Sequence, residues 1–104
     1  MGQRKFPPLT PKEIEDILLS RGFVYYNSKG DHNYYYCDVN GEKRVAQIDM
    51  GADLYVKDNL KLVIKESGMN RIQFYTSTKR SAKKINKRCA PKNELLTWAV
   101  KEND

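Results

Sequence analysis

His32-Asn33-Tyr34-Tyr35-Tyr36-Cys37-Asp38-Val39-Asn40-Gly41-Glu42-Lys43-Arg44-Val45-Ala46-Gln47-Ile48-Asp49 decides the fold of this 104-residue chain. Two runs rich in β-forming residues flank Asn40-Gly41, the strongest short hairpin signal, because a two-residue turn needs positive φ at both central positions. His32 to Asp38 therefore reads as one strand and Lys43 to Met50 as the next. Counting outward from the turn sets Val39 against Glu42, Cys37 against Arg44, Tyr35 against Ala46 and Asn33 against Ile48. On the other face it sets Tyr36 against Val45, Tyr34 against Gln47 and His32 against Asp49. The face carrying His32, Tyr34 and Tyr36 reads as the more polar and accessible one. A carboxylate opposite an imidazole orients it and favours its charged form, so the His32–Asp49 pairing carries mechanistic content.

Upstream, Phe23 to Asn27 reads as a first strand and Ser28-Lys29-Gly30-Asp31 as its turn. Before it, Thr10-Pro11-Lys12-Glu13 starts a helix. Thr10 suits the cap, Pro11 the first helical position, and Glu13 completes a capping box. Ile14, Ile17 and Leu18 recur at helical spacing as a core stripe, and Gly22 stops the helix. Downstream, a second helix runs from about Asp58 to Ser67, with Leu60, Val63 and Ile64 on one face and Gly68 as its stop. The order is helix, three strands, helix, an α+β domain.

Ile72-Gln73-Phe74-Tyr75 suits a short strand or an extended lead-in. Ser77 to Arg88 suits a basic helix capped by Thr76 or Ser77 and ended by Ala90-Pro91. Leu95, Leu96, Trp98 and Val100 suit a small amphipathic piece packing back. The expected division is a core over residues 1–70 and a basic C-terminal helical extension over residues 71–104.

The formal net charge of +6 is concentrated. Basic and acidic residues cancel before residue 71. From there to residue 92 come Arg71, Lys79, Arg80, Lys83, Lys84, Lys87, Arg88 and Lys92, with no acid among them. Such a segment suits a phosphate backbone, with a solvated basic helix or an acidic protein partner as the alternatives. Candidate RNA contacts are Lys79, Arg80, Lys83, Lys84, Lys87 and Arg88. With 39% hydrophobic residues the chain supplies one core, and no apolar run is long enough to span a membrane. Residues 1–8 do not read as a secretion signal. Cys37 and Cys89 are far apart and read as free thiols in a cytoplasmic setting, with a disulfide as the alternative. One histidine and two isolated cysteines do not make a structural zinc site, so no metal and no cofactor is expected.

Together, Ser20-Arg21-Gly22-Phe23, Lys29-Gly30-Asp31-His32-Asn33-Tyr34-Tyr35, Asn40-Gly41, Val45 to Ile48 and Leu60 to Met69 resemble the HicA family, the toxin halves of HicA–HicB toxin–antitoxin pairs. The resemblance covers roughly Leu9 to Met69. It implies a fold like the double-stranded-RNA-binding domain, α-β-β-β-α, with helices on one face of a three-stranded antiparallel sheet. It also implies an mRNA-cleaving endoribonuclease with a catalytic motif histidine, here His32, and a motif glycine, here Gly30. A HicB-like antitoxin is the implied protein partner. Two positions depart from the pattern. Asp31 stands where Ser or Thr is usual, and Ile48-Asp49-Met50 lacks the histidine that many members carry after the third strand.

Metal-independent RNA cleavage needs a base for the 2′-hydroxyl, an acid for the leaving 5′-oxygen and cations for the phosphorane charge. Histidine suits proton transfer near neutrality. His32, Lys29 as the nearby cation and Asp49 as the orienting carboxylate form the expected catalytic group. Gly30 and Tyr34 join the RNA contacts, Tyr34 as a stacking platform. A non-catalytic RNA-binding or protein-interaction module of the same fold is the alternative, with His32 then a structural strand residue.

Overall fold

A computed structural model describes residues 5–39 and 41–95. Asn40 of the expected turn, and Leu96, Trp98 and Val100 of the expected C-terminal piece, lie outside them. Helix α1 (Pro11–Ser20) begins as its capping box dictates. Thr10 Oγ1 accepts from the Glu13 N–H at 3.2 Å, and Glu13 Oε1 accepts from the Thr10 N–H at 2.8 Å. Three antiparallel strands follow, β1 (Val24–Lys29), β2 (His32–Val39) and β3 (Glu42–Asp49), in the spatial order β1-β2-β3. The β2–β3 register is the one counted from the two-residue turn, from Val39↔Glu42 through to His32↔Asp49. Alternation then sends Tyr35, Ala46 and Ile48 into the core, each fully buried.

The first hairpin is tighter than its composition suggested. Ser28 and Lys29 belong to β1, and the turn is Gly30-Asp31 alone, with Gly30 at φ +60°. Between Tyr25 and Asn27 the register shifts by one residue, a β-bulge.

Helix α2 (Lys57–Ser67) buries Leu60, Val63 and Ile64 and ends on Gly68 in the left-handed conformation at φ +82°. It lies along β3 and covers that edge of the sheet. The Gln47 N–H donates to Glu66 Oε1 at 3.2 Å, and the Asp49 N–H donates to the Tyr55 hydroxyl at 2.8 Å. Edge N–H groups that would otherwise recruit another strand are thereby satisfied. No helix among the described residues is long and apolar enough to cross a membrane.

Residues 72–75 are neither strand nor extended. They form helix α3 (Arg71–Tyr75), because Asn70 and Gln73 make a second capping box: each side chain accepts the other residue's backbone N–H, at 2.8 and 2.9 Å. The basic helix is also shorter than its pattern suggested. Helix α4 covers only Lys79–Lys83 and is capped by Thr78, not by Thr76 or Ser77. It cannot run on to Arg88, because Asn86 takes the left-handed conformation at φ +59°. The Lys87 N–H then reaches back to the Ala82 carbonyl, and the Asn86 N–H to that of Lys83. This pair of bonds is a Schellman stop with asparagine in the usual glycine position. A one-turn helix α5 (Lys92–Leu95) follows.

Phe74, Tyr75 and Ile85 join α1, α2 and the inner sheet face in one apolar cluster. Buried polar groups tie the segment down further. Arg21 donates from Nε to Ser77 Oγ at 2.9 Å and from its terminal nitrogen to the Gln73 carbonyl at 2.8 Å. The Tyr75 hydroxyl donates to the Pro7 carbonyl at 2.7 Å.

Gly68 combines positive φ with a tight neighbour, since a Cβ there would lie 2.8 Å from Arg44 Nε. Gly68→Ala should lower unfolding stability by about 1–2 kcal/mol, mostly for the left-handed backbone, because the Arg44 side chain is free to swing aside. Urea denaturation with an unchanged midpoint would contradict this.

Candidate functional site

The two hairpins align three residues chosen for their chemistry. The Gly30-Asp31 turn makes Lys29 and His32 cross-strand partners, and the β2–β3 register makes His32 and Asp49 partners. Lys29, His32 and Asp49 therefore form one row across the three strands, on the face that also bears Tyr34 and Tyr36. Gly30 serves this row through its backbone alone: a Cβ there would meet no atom within 4 Å, so the demand is for positive φ.

The pairing of His32 with Asp49 is present, but no hydrogen bond joins their side chains. Asp49 Oδ1 instead accepts from the Gly51 N–H at 3.0 Å and braces the turn after β3. That turn abuts the first hairpin. The Met50 N–H donates to the Asp31 carbonyl at 2.8 Å, and a Cβ on Gly51 would lie 2.7 Å from Asp31 Oδ2. The turn after β3 therefore fastens the end of the sheet that carries His32.

On its β3 side the row opens into a cleft of about 440 Å³ between β3 and α2. His32, Asp49, Asp58, Tyr55, Leu62 and Glu66 are among its lining residues, and among the described residues no Lys or Arg is. Burial pushes the Glu66 carboxyl above the ordinary glutamate range, and its bond from the Gln47 N–H pulls it partly back. Asp58, Leu62 and Glu66 stand at successive i, i+4 positions of α2 and so share one side of the helix. That spacing was available in the sequence. Its meaning was not, because nothing local says which side of α2 meets β3.

The open face of the sheet is aromatic. The bulge in β1 brings Tyr26 over to Tyr34 and Tyr36, with ring centroids 6.4 and 5.5 Å away. Lys43 Nζ lies 5.1 Å from the Tyr36 centroid and 6.0 Å from that of Tyr26. Tyr26 is 48% exposed, with Val24 and Val45 beside it similarly open. Tyr35 points the other way into the core, and its hydroxyl donates to Glu15 Oε2 at 2.5 Å. Burial holds that phenol well above the usual tyrosine range. Pattern reading found Tyr34 and missed Tyr26, since a bulge leaves no mark in the alternation.

The basic candidates divide. Lys79, Arg80, Lys83, Lys87 and Arg88, with Cys89, line a depression of about 610 Å³. None of these residues lines the His32 cleft. Lys84 faces elsewhere: it lies 3.7 Å from Glu13 Oε1 and donates to the Pro8 carbonyl at 3.3 Å. Arg80 Nε pairs with Glu13 Oε2 at 2.9 Å. Glu13, only 5% exposed, thus serves the α1 capping box and anchors α4 together. Among the described residues no group of three His, Cys, Asp or Glu side chains is arranged to hold a metal ion. Cys37 and Cys89 are free thiols.

The raised Glu66 sets a pH dependence. A carboxyl whose folded value lies above its unfolded value contributes stability that is full below about pH 4 and lost as pH rises through the folded value. Glu66→Gln keeps an acceptor for the Gln47 N–H and removes the charge. It should melt at or above the wild-type temperature at pH 7, with the gap closing as pH falls towards 4 in thermal unfolding. A variant less stable than wild type at pH 7 would contradict the assignment.

Comparison of the chain with protein-family models gives no match, and comparison with curated proteins gives none either.

Proposed function

We propose that this protein is an endoribonuclease that cleaves mRNA in the cytoplasm, the toxin half of a toxin–antitoxin pair of the HicA kind. An acidic HicB-like antitoxin is its protein partner in this reading. The observation that carries the proposal is the row Lys29–His32–Asp49 at one end of a sheet face bearing Tyr26, Tyr34 and Tyr36. Single-stranded RNA is read by stacking unpaired bases on aromatic side chains, at about 1–3 kcal/mol per base. Bases lying on Tyr34 and Tyr26 bring the backbone to His32.

His32 acts as general base, taking the proton of the 2′-hydroxyl while its oxygen attacks the adjacent phosphorus. The bond to the 5′-oxygen breaks, leaving a 2′,3′-cyclic phosphate and a 5′-hydroxyl end. The Lys29 ammonium neutralises charge on the phosphorane. With a single histidine in the chain, water supplies the leaving oxygen's proton. Asp49, braced by Gly51, presents its field to the imidazole without a direct bond. The double-stranded-RNA-binding-domain-like arrangement fits the element order α-β-β-β-α.

A second reading is a non-catalytic RNA-binding module. It is favoured by the carboxylates around His32: Asp31 precedes it, and Asp49, Asp58 and Glu66 line its cleft, where a phosphate meets repulsion. The two readings part on one comparison of purified wild type with His32→Ala. The ribonuclease predicts a loss of about 10²–10⁴-fold in the rate of cleaving single-stranded RNA, with RNA affinity retained. In a bacterium the wild type should arrest growth with loss of mRNA, and the variant should do neither. Equal behaviour of the two proteins would make His32 structural and leave the binding module.

A further inference from the structure

The acid-lined cleft beside His32 gives an RNA-acting protein little electrostatic affinity, because Lys29 is the one cation placed in the His32 row and no described Lys or Arg lines the cleft. The depression formed around α4 has the opposite character. Lys79, Arg80, Lys83, Lys87 and Arg88 line it, and among the described residues no carboxylate does. Lys79 and Lys83 are one helical turn apart on α4. The Schellman stop at Asn86 then reverses the chain and returns Lys87 and Arg88 to the same hollow. The return is pinned where the Ala90 N–H donates to the Thr76 carbonyl at 2.8 Å. Arg80 is held from behind by the buried Glu13. Lys79, Lys83, Lys87 and Arg88 are exposed and have no carboxylate partner among the described residues.

Five cations around one hollow repel one another, and among the described residues no ion pair uses four of them. An anionic ligand relieves that repulsion, and a concave arrangement of one sign focuses the field on it. The backbone that carries these residues is fixed by a capped helix and a left-handed residue, so the ordering cost of binding falls on the side chains.

We infer that this depression is an RNA-backbone site separate from the His32 row, supplying the electrostatic affinity that the acidic cleft withholds. The inference rests on the reading of the protein as RNA-acting. It assigns affinity and chemistry to different elements: α4 and its return hold phosphates, and the sheet end cleaves. Arg80 and Lys84 contribute mainly through Glu13 to the architecture.

The test is binding of a fluorescent single-stranded RNA of about 20 nucleotides, 2′-O-methylated so that it cannot be cleaved, across a range of salt concentrations. The fourfold variant Lys79→Gln, Lys83→Gln, Lys87→Gln, Arg88→Gln should bind at least about tenfold more weakly at low salt. Its slope of log affinity against log salt should fall by about 0.7 for each phosphate no longer neutralised, hence by about 2–3 in all. A control variant, Lys12→Gln, Lys57→Gln, Lys61→Gln, Lys65→Gln, removes the same charge elsewhere and should retain most of the affinity. Equal weakening in both variants, or none in the first, overturns the site. Stronger competition by polyglutamate than by unlabelled RNA of equal charge would make the hollow an acidic-protein site and overturn the RNA assignment. Should the fourfold variant melt early, the pair Lys83→Gln, Lys87→Gln reads the same slope with about half the decrease. Because the probe cannot be cleaved, these outcomes are independent of whether His32 is catalytic.

Discussion

The register of the β2–β3 hairpin is the constraint on which the rest depends. A slip of one residue would turn Tyr35, Ala46 and Ile48 out of the core and bring His32, Tyr34 and Tyr36 into it. The observed register buries the first three completely and keeps the others on the open side. The same register fixes the chemistry, since only it sets His32 opposite Asp49. Core packing and site geometry are one decision here, enforced by the apolar area of Tyr35 and Ile48 against the helices. The Tyr35–Glu15 bond adds direction to that burial, because it ties the middle strand to α1 at a single point.

A second set of interactions integrates residues 71–90 with the rest. Arg21 and Glu13 are charged yet almost fully buried, which is tolerated only where their polar atoms are satisfied. Arg21 reaches the end of α3, and Glu13 meets Arg80 and Lys84 around α4. Both residues lie on or next to α1, so this helix is covered by the sheet on one side and by the basic segment on another. The cations that sequence reading assigned to RNA are thereby divided between holding the fold and facing solvent.

Much of this was legible in the chain. Thr10-Pro11-Lys12-Glu13, Asn40-Gly41 and Gly68 are local signals whose outcome depends on a few neighbouring atoms, and each element they specify is where expected. The α3 segment was misread although its signal was equally local. The β-forming Ile72, Phe74 and Tyr75 suggested a strand, and the Asn70/Gln73 capping box that starts a helix there went unread. The bulge that carries Tyr26 to the open face and the reversal at Asn86 involve single-residue changes of backbone conformation that alternation and helical spacing do not register. The acidic cleft was hidden for another reason. Its carboxylates come from β3 and α2, and their meeting is a property of packing.

In the proposed function the tasks are separated across a small domain: the aromatic sheet face would stack bases, the row at its end would transfer protons and supply one cation, and the hollow at α4 would supply charge. The most direct measurement of this account follows the side chains themselves: NMR titration of the wild-type protein with a short 2′-O-methylated single-stranded RNA. The His32 imidazole and the Tyr26 and Tyr34 rings should shift together along a single saturating curve, while the buried Tyr75 ring stays fixed. Saturable binding that leaves His32 and both tyrosines unmoved would contradict the account.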